Sequence, residues 1–126
     1  MGDDCPYVVP VSFGLEVQEQ SVVYFHCAQT GMKIDLLRQR PKVCIEGDIF
    51  IRVEPTEHGI TTRYESVIGF GVCRFVTEPQ EILHGLRLLC QHYGYDDYPL
   101  DRCKGLPHLL VGKITLSSLA GKRNKI

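Results

Sequence analysis

The stretch Tyr24-Phe25-His26-Cys27-Ala28-Gln29-Thr30-Gly31-Met32-Lys33-Ile34-Asp35 carries the densest chemistry in the chain. A β-branched and aromatic run ends at His26 or Cys27, and a helical pattern begins within a few residues. The first turn of a helix presents unpaired backbone N–H groups and about half a positive charge, which suits an anion. Thr30 adds a hydroxyl donor, Gly31 lets a ligand approach the backbone, and Lys33 supplies a full charge. Together these would hold a phosphate monoester. A capped helix with a solvated lysine fits the same residues, because every helix has such a terminus. His26 also reads two ways. It is a hydrogen-bonded structural residue at a strand end or, beside a cofactor, a proton donor with a reference pKa of ~6.5. Spacing leaves both open.

Other chemistries find no support. His26 and Cys27, adjacent on a strand, point to opposite sides. Cys90 and His92, two apart on a helix, face different ways. His58, His84 and His108 stand alone, so no zinc site is expected. Ser12, Ser66 and Ser117 lack the strand-turn-helix context of a nucleophile elbow. Ile68-Gly69-Phe70-Gly71 lacks the third glycine of a dinucleotide fingerprint and lies inside a strand pattern. Cys5, Cys27, Cys44, Cys73, Cys90 and Cys103 are spread without a CxxC pair. The N-terminus, Met1-Gly2-Asp3-Asp4, has no signal-peptide pattern, so these cysteines read as reduced structural thiols. Most sit among apolar neighbours, as in Val43-Cys44-Ile45.

The elements that must position the 24–35 stretch follow from periodicity. Tyr7 to Phe13 reads as a strand that Pro10 confines to an edge or bulge, with a polar turn over Gly14 to Gln20. Ser21 to Cys27 is the returning strand. Val43 to Glu54 and Thr61 to Val76 form a second strand pair around a turn at Pro55 to Gly59, and Leu109 to Leu119 is the last strand. One helix is expected over Thr30 to Arg40, capped by Thr30 and stopped by Pro41. A second runs from Thr77 to Tyr93, with the capping-box spacing Thr77-Glu78-Pro79-Gln80 at its start and Gly94 after its end. The order β-β-α-β-β-α-β predicts an α+β class built on a small antiparallel barrel.

The 126 residues leave room for a single domain, 1–126. Fourteen basic and fifteen acidic residues give a net charge of −1, so no global field recruits nucleic acid or anionic lipid. The basic end Gly121-Lys122-Arg123-Asn124-Lys125 reads as a frayed, solvated tail. No apolar run reaches the ~20 residues of a membrane span. The expected compartment is the cytosol.

Five blocks occur in one order: Pro6-Tyr7-Val8-Val9-Pro10-Val11-Ser12-Phe13, the 24–35 stretch, Pro41-Lys42-Val43-Cys44, Tyr64-Glu65-Ser66-Val67-Ile68-Gly69-Phe70-Gly71, and Gly121-Lys122-Arg123. This series resembles the nitroimidazole-resistance (Nim) group of the pyridoxamine 5′-phosphate oxidase-like flavoproteins, over nearly the whole chain. The resemblance implies a split β-barrel, an antiparallel Greek-key barrel with flanking helices, that homodimerises and binds FMN at the dimer interface. It implies that Val9, Pro10, Val11 and Ser12 lie along the flavin. His26, Cys27, Ala28, Thr30, Gly31 and Lys33 approach the phosphate and ribityl chain. Glu65, Ser66 and Val67 reach a flavin across the interface. His26 takes the catalytic position beside the flavin, and the implied reaction is reduction of a nitro group on a small-molecule substrate, with a separate electron donor.

Relatives carry a helix and a first barrel strand ahead of the segment matching Pro6, and here Met1 falls just before that segment. Such a barrel has an unpaired edge, which favours association. Cys27 beside His26 and Arg40 before Pro41 are further departures. Two other readings therefore stand beside the oxidoreductase: a flavin- or haem-binding split-barrel protein without turnover, and a truncated relative that only dimerises.

Overall fold

Val22, Val23, Tyr24 and Phe25 are four consecutive buried residues, so their strand must be covered on both faces. That requirement organises the molecule. The computed structural model describes residues 5–102 and 108–125; Met1–Asp4 and Cys103 lie outside the described residues. Its elements are β1 (Phe13–Glu16), β2 (Val22–Cys27), α1 (Met32–Gln39), β3 (Lys42–Thr56), β4 (Gly59–Val76), α2 (Pro79–His92) and β5 (Leu110–Asn124), with a 3-10 turn at Leu100–Arg102. The expected order and the α+β class hold. The strands form one five-stranded sheet ordered β1-β2-β5-β4-β3, and every pairing is antiparallel. The sheet is not closed: β1 and β3 are its edges.

The period of two along β2 sorts the core into two clusters. Val23, Phe25 and Cys27 pack with Ile34 of α1, Cys73 of β4 and Ile114 and Leu116 of β5. Val22 and Tyr24 point the other way, to Leu86 of α2, Val76, Leu100 and Val111. Among the described residues no polar or charged residue is buried. Cys27 and Cys73 behave as small hydrophobes, and burial pushes the Cys73 thiol up to about 11. Cys5, Cys27, Cys44, Cys73 and Cys90 are free thiols, but Cys44 is exposed, contrary to its apolar sequence context.

α2 lies directly on the sheet because two glycines let it. A Cβ on Gly85 would sit 2.7 Å from the Tyr24 ring, and one on Gly14 would sit 2.4 Å from the Leu89 backbone nitrogen. The sequence pattern made Gly14 part of a turn. It instead lies in β1, which starts later than expected and excludes Tyr7 to Ser12. Pro10 has no N–H for a ladder, which fits that late start. A charged bracket adds to the apolar contact. Glu81 of α2 accepts hydrogen bonds from Lys113 Nζ at 2.7 Å, Tyr24 Oη at 3.1 Å and an Arg74 Nη at 3.2 Å.

The helix caps differ from the spacing-based expectation. Glu78, not Thr77, caps α2: its carboxylate accepts from the N–H groups of Gln80 and Glu81, and Pro79 takes the first helical position. α1 is capped by Gly31 rather than Thr30, without a side-chain bond. Gly31 has φ 143°, a left-handed value that a Cβ would strain.

β3 and β4 are longer than predicted and meet at Glu57-His58, between Thr56 and Gly59. Pro55 is tolerated within β3 because β3 is an edge. β5 runs on to Asn124, so the basic end is not a frayed tail. Lys122 and Arg123 pair in register with Ser66 and Glu65. Lys125 Nζ lies 2.8 Å from Glu65. Asn124 accepts from Arg63 at 2.7 Å and donates to the Thr62 carbonyl at 2.9 Å. These polar ties hold a three-stranded arm that extends beyond the cover of α2.

Candidate functional site

The residues singled out by chemistry fall into two places. Val9, Pro10, Val11 and Ser12 run into β1 as an exposed, irregular segment. The β1–β2 register ends at Phe13 opposite Phe25. Continued by one residue, that register would bring Ser12 level with His26. His26 is the exposed residue of β2 and shares a row with Val111 of β5, which in turn pairs with Val76 of β4. These two valines are 1% and 2% exposed, so the imidazole sits at the rim of an apolar floor.

Strand alternation separates His26 from Cys27. His26 lies on the Tyr24 face, and Cys27 on the Phe25 face, where it is buried and its thiol is raised by burial. The same pKa balance includes a lowering by the Lys33 charge, which puts Lys33 on the Cys27 side. The Lys33 ammonium lies 5.9 Å from the Phe25 ring centroid, a cation–π distance. Thus Cys27 is core, while Ala28, Thr30 and Gly31 form the exposed link from strand to helix.

The start of α1 has a backbone arrangement on which the anion reading can be laid. Its first backbone bond runs from Asp35 N–H to the Gly31 carbonyl at 3.1 Å, so the Met32, Lys33 and Ile34 amides precede the ladder. A Cβ on Gly31 would meet nothing within 4 Å, which leaves the approach to these amides open. Free amides, an adjacent cation and an open backbone fit a phosphate group.

Glu65, Ser66 and Val67 are elsewhere. Val76 is level with His26, and Ser66 lies about ten residues back along β4, roughly 30 Å away at ~3.3 Å per residue. The structure sets the chain ahead of Phe13 beside the end of β2 and keeps 65–67 far along β4 within one chain. Ser66 shares a face with Ile68, Phe70 and Val72, which are 46%, 55% and 50% exposed. A groove of about 450 Å³ on that face is lined by Lys42, Cys44, Phe70, Val72 and Ser117, among others.

A sequence profile described as pyridoxamine 5′-phosphate oxidase matches residues 1–123. The chain belongs to the pyridoxamine 5′-phosphate oxidase family. Among solved structures, it is similar to a proposed 5-nitroimidazole antibiotic resistance protein from Bacteroides thetaiotaomicron. That match has a TM-score of 0.80 and 26% identity, over 93% of this chain and 68% of the other. The flavocytochrome Anf3 of Azotobacter vinelandii matches with TM-score 0.77 and 15% identity, over 100% of this chain and 59% of that one. A FAD-binding protein from Mesorhizobium loti matches with TM-score 0.64 and 18% identity, over 96% and 79% of the two chains. No curated protein sequence matches. The family's split barrel accounts for the curled sheet with flanking helices, here open between β1 and β3. Among the described residues no helix is long and apolar enough to cross a membrane.

Sequence reasoning did not find two groups of residues that shape this end of a pyridoxamine 5′-phosphate oxidase-family fold. His92 and Tyr93, at the end of α2, touch Phe13 next to Ser12. Glu81 gathers Tyr24, Arg74 and Lys113 beneath α2. Tyr93 and Phe13 are eighty positions apart, so no local signal marks that contact.

Proposed function

We propose that two copies of this chain bind FMN between them and use it to reduce a small molecule, with a nitro compound as the favoured acceptor. The observation that carries this reading is the separation of Ser66 from His26. Two clusters that suit one ligand lie roughly 30 Å apart in one chain, and one sits on an uncovered apolar face. Pairing two copies through that face buries the apolar side chains and lets the partner's Ser66 serve a ligand seated at His26. The names of the relatives, a nitroimidazole resistance protein and FAD-binding or flavocytochrome proteins, support a flavin and a redox role.

In this reading the Lys33 ammonium and the Met32, Lys33 and Ile34 amides hold the phosphate. Ser12 and Val9 to Val11 lie along the ring system. The His26 imidazole holds or releases a proton at its rim, over the floor made by Val111 and Val76. FMN, when bound, carries the electrons, which a separate donor supplies. The protein acts as a single domain, 1–126, in the cytosol.

The test is a visible absorbance spectrum of protein loaded with FMN, taken across a gel-filtration peak, followed by anaerobic reduction and addition of a nitroaromatic. A flavin band co-eluting with a dimer and reoxidised by the acceptor is the expected result. A flavin band that the acceptor leaves reduced would make this a binding protein without that turnover. A colourless monomer would remove the reading altogether.

A further inference from the structure

We infer that His92 and Tyr93, at the C-terminal end of α2, are the positioning residues that set Ser12 opposite His26. The inference rests on the flavin reading above for its consequence, but its geometry stands alone. β1 is an edge strand of four residues, and among the described residues β2 is its one strand partner and the Val9 to Ser12 segment ahead of it joins no ladder. Something other than strand pairing must hold its entry.

α2 supplies that support at Phe13, Gly14 and Glu16. The Phe13 main-chain N–H donates to the Tyr93 hydroxyl at 3.3 Å. The His92 ring lies against the Phe13 ring, with centroids 4.4 Å apart, and meets the Tyr93 ring edge-on at 4.7 Å. One residue on, Gly14 touches the Leu88–Leu89 backbone closely enough that no Cβ fits. At the far end of β1, the Glu16 carboxylate meets the His84 ring.

Phe13 is the last anchored residue before the free segment, and Ser12 is the first residue of that segment. The Tyr93 hydroxyl satisfies the outward N–H at the strand's end, where the edge would otherwise face water. The stacked His92 ring then limits rotation of the chain about Phe13. Displacing either contact moves Ser12 relative to His26 while leaving the β2–β5 core in place. That selectivity distinguishes a positioning role from a general contribution to stability.

The experiment uses the full chain with Tyr93→Phe, which keeps the ring and removes the acceptor, and His92→Leu as a second variant. Backbone amide exchange is first followed without flavin. Phe13 is expected to exchange about fivefold faster in Tyr93→Phe, the effect of losing one hydrogen bond, while the Phe25 and Ile114 amides are unchanged. Unchanged Phe13 exchange, or uniform acceleration everywhere, overturns the anchor. FMN titration then reads the consequence, expected as an affinity about fivefold weaker in both variants. Wild-type binding with unaltered affinity in both variants overturns the positioning role. No flavin binding by the wild type overturns the proposed function, and with it the link from anchor to flavin, while the exchange result still decides the anchor.

Discussion

β4 passes through two environments, and its two halves behave as different proteins would. Its C-terminal half, through Cys73 and Val76, lies between the two core clusters and is buried at alternate positions. Its N-terminal half, through Val67, Ile68 and Phe70, runs along the arm with apolar side chains open to solvent. Both halves are rich in β-branched and aromatic residues, so composition does not separate them. What differs is cover: α2 and α1 lie over the first region, and among the described residues nothing lies over the outer face of the second. One region is held by its own chain, and the other leaves apolar side chains uncovered among the described residues, the face the proposed pairing would use.

Substitutions in the two regions should therefore diverge. Phe25→Ala, in the covered region, is expected to cost about 3–5 kcal/mol of stability in chemical denaturation, the range for emptying a buried aromatic site. Gly85→Ala drives a Cβ against the Tyr24 ring and should cost roughly 1–3 kcal/mol, read as a lowered thermal midpoint. A midpoint unchanged in that variant would mean that α2 does not sit where it is placed here. Lys33→Ala is expected to weaken FMN binding by about 1.5–3 kcal/mol, with folding stability little affected; equal affinity would take Lys33 out of the site.

Electrostatics sharpen the contrast in the covered region. Burial and the bond to Glu81 push the Tyr24 phenol up to about 12, while Lys113, the largest influence on Glu81, holds that carboxyl below its usual range. A raised phenol contributes stability that is complete below its unfolded value of ~10 and is lost as pH rises toward 12. A lowered carboxyl contributes stability above its unfolded value of ~4.3 and loses it as pH falls further. Thermal midpoints should thus decline at both ends, and Tyr24→Phe should flatten the alkaline decline by on the order of 1 kcal/mol. An alkaline limb identical in Tyr24→Phe would show that the bracket is not the cause.

The smallest effect on stability is expected on the arm. Phe70→Glu should change the unfolding free energy of the isolated chain by only about 0.5 kcal/mol, since the side chain is already solvated. Sedimentation velocity should nevertheless show it to be monomeric where the wild type, on the proposed pairing, runs as a dimer. A variant that still dimerises would place the interface elsewhere.

Much of the fold was legible before the structure. The order of strands and helices, the α+β class and the two ends of α2 follow from periodicity and from the punctuation at Pro79 and Gly94. The errors lie where long-range contact overrides a local signal. Gly14 looks like a turn because glycine is common in turns, yet it is a strand residue that lets a helix backbone pass. Lys122 and Arg123 look like a solvated tail because they are charged, yet β4 supplies a partner strand for them. The capping residues of both helices moved by one position: at α2 the Glu78 carboxylate caps in place of Thr77, and at α1 the chain turns at Gly31 with no side-chain bond.

The candidate site divides in the same way. Residue types and short spacings carried the available chemistry: a helix start with Gly31 and Lys33 that suits an anion, a histidine at a strand end, and strands with apolar faces to bury. These depend on residue type and on spacings of a few residues, which a chain carries before it folds. The tertiary structure alone decided which groups meet. It set the chain ahead of Phe13 beside the end of β2, put Tyr93 at Phe13, turned Cys27 away into the core, and carried Ser66 roughly 30 Å along β4 from the level of His26. Such distances are set by strand register and by close helix-on-sheet contact, which arise only when segments far apart in sequence are packed together.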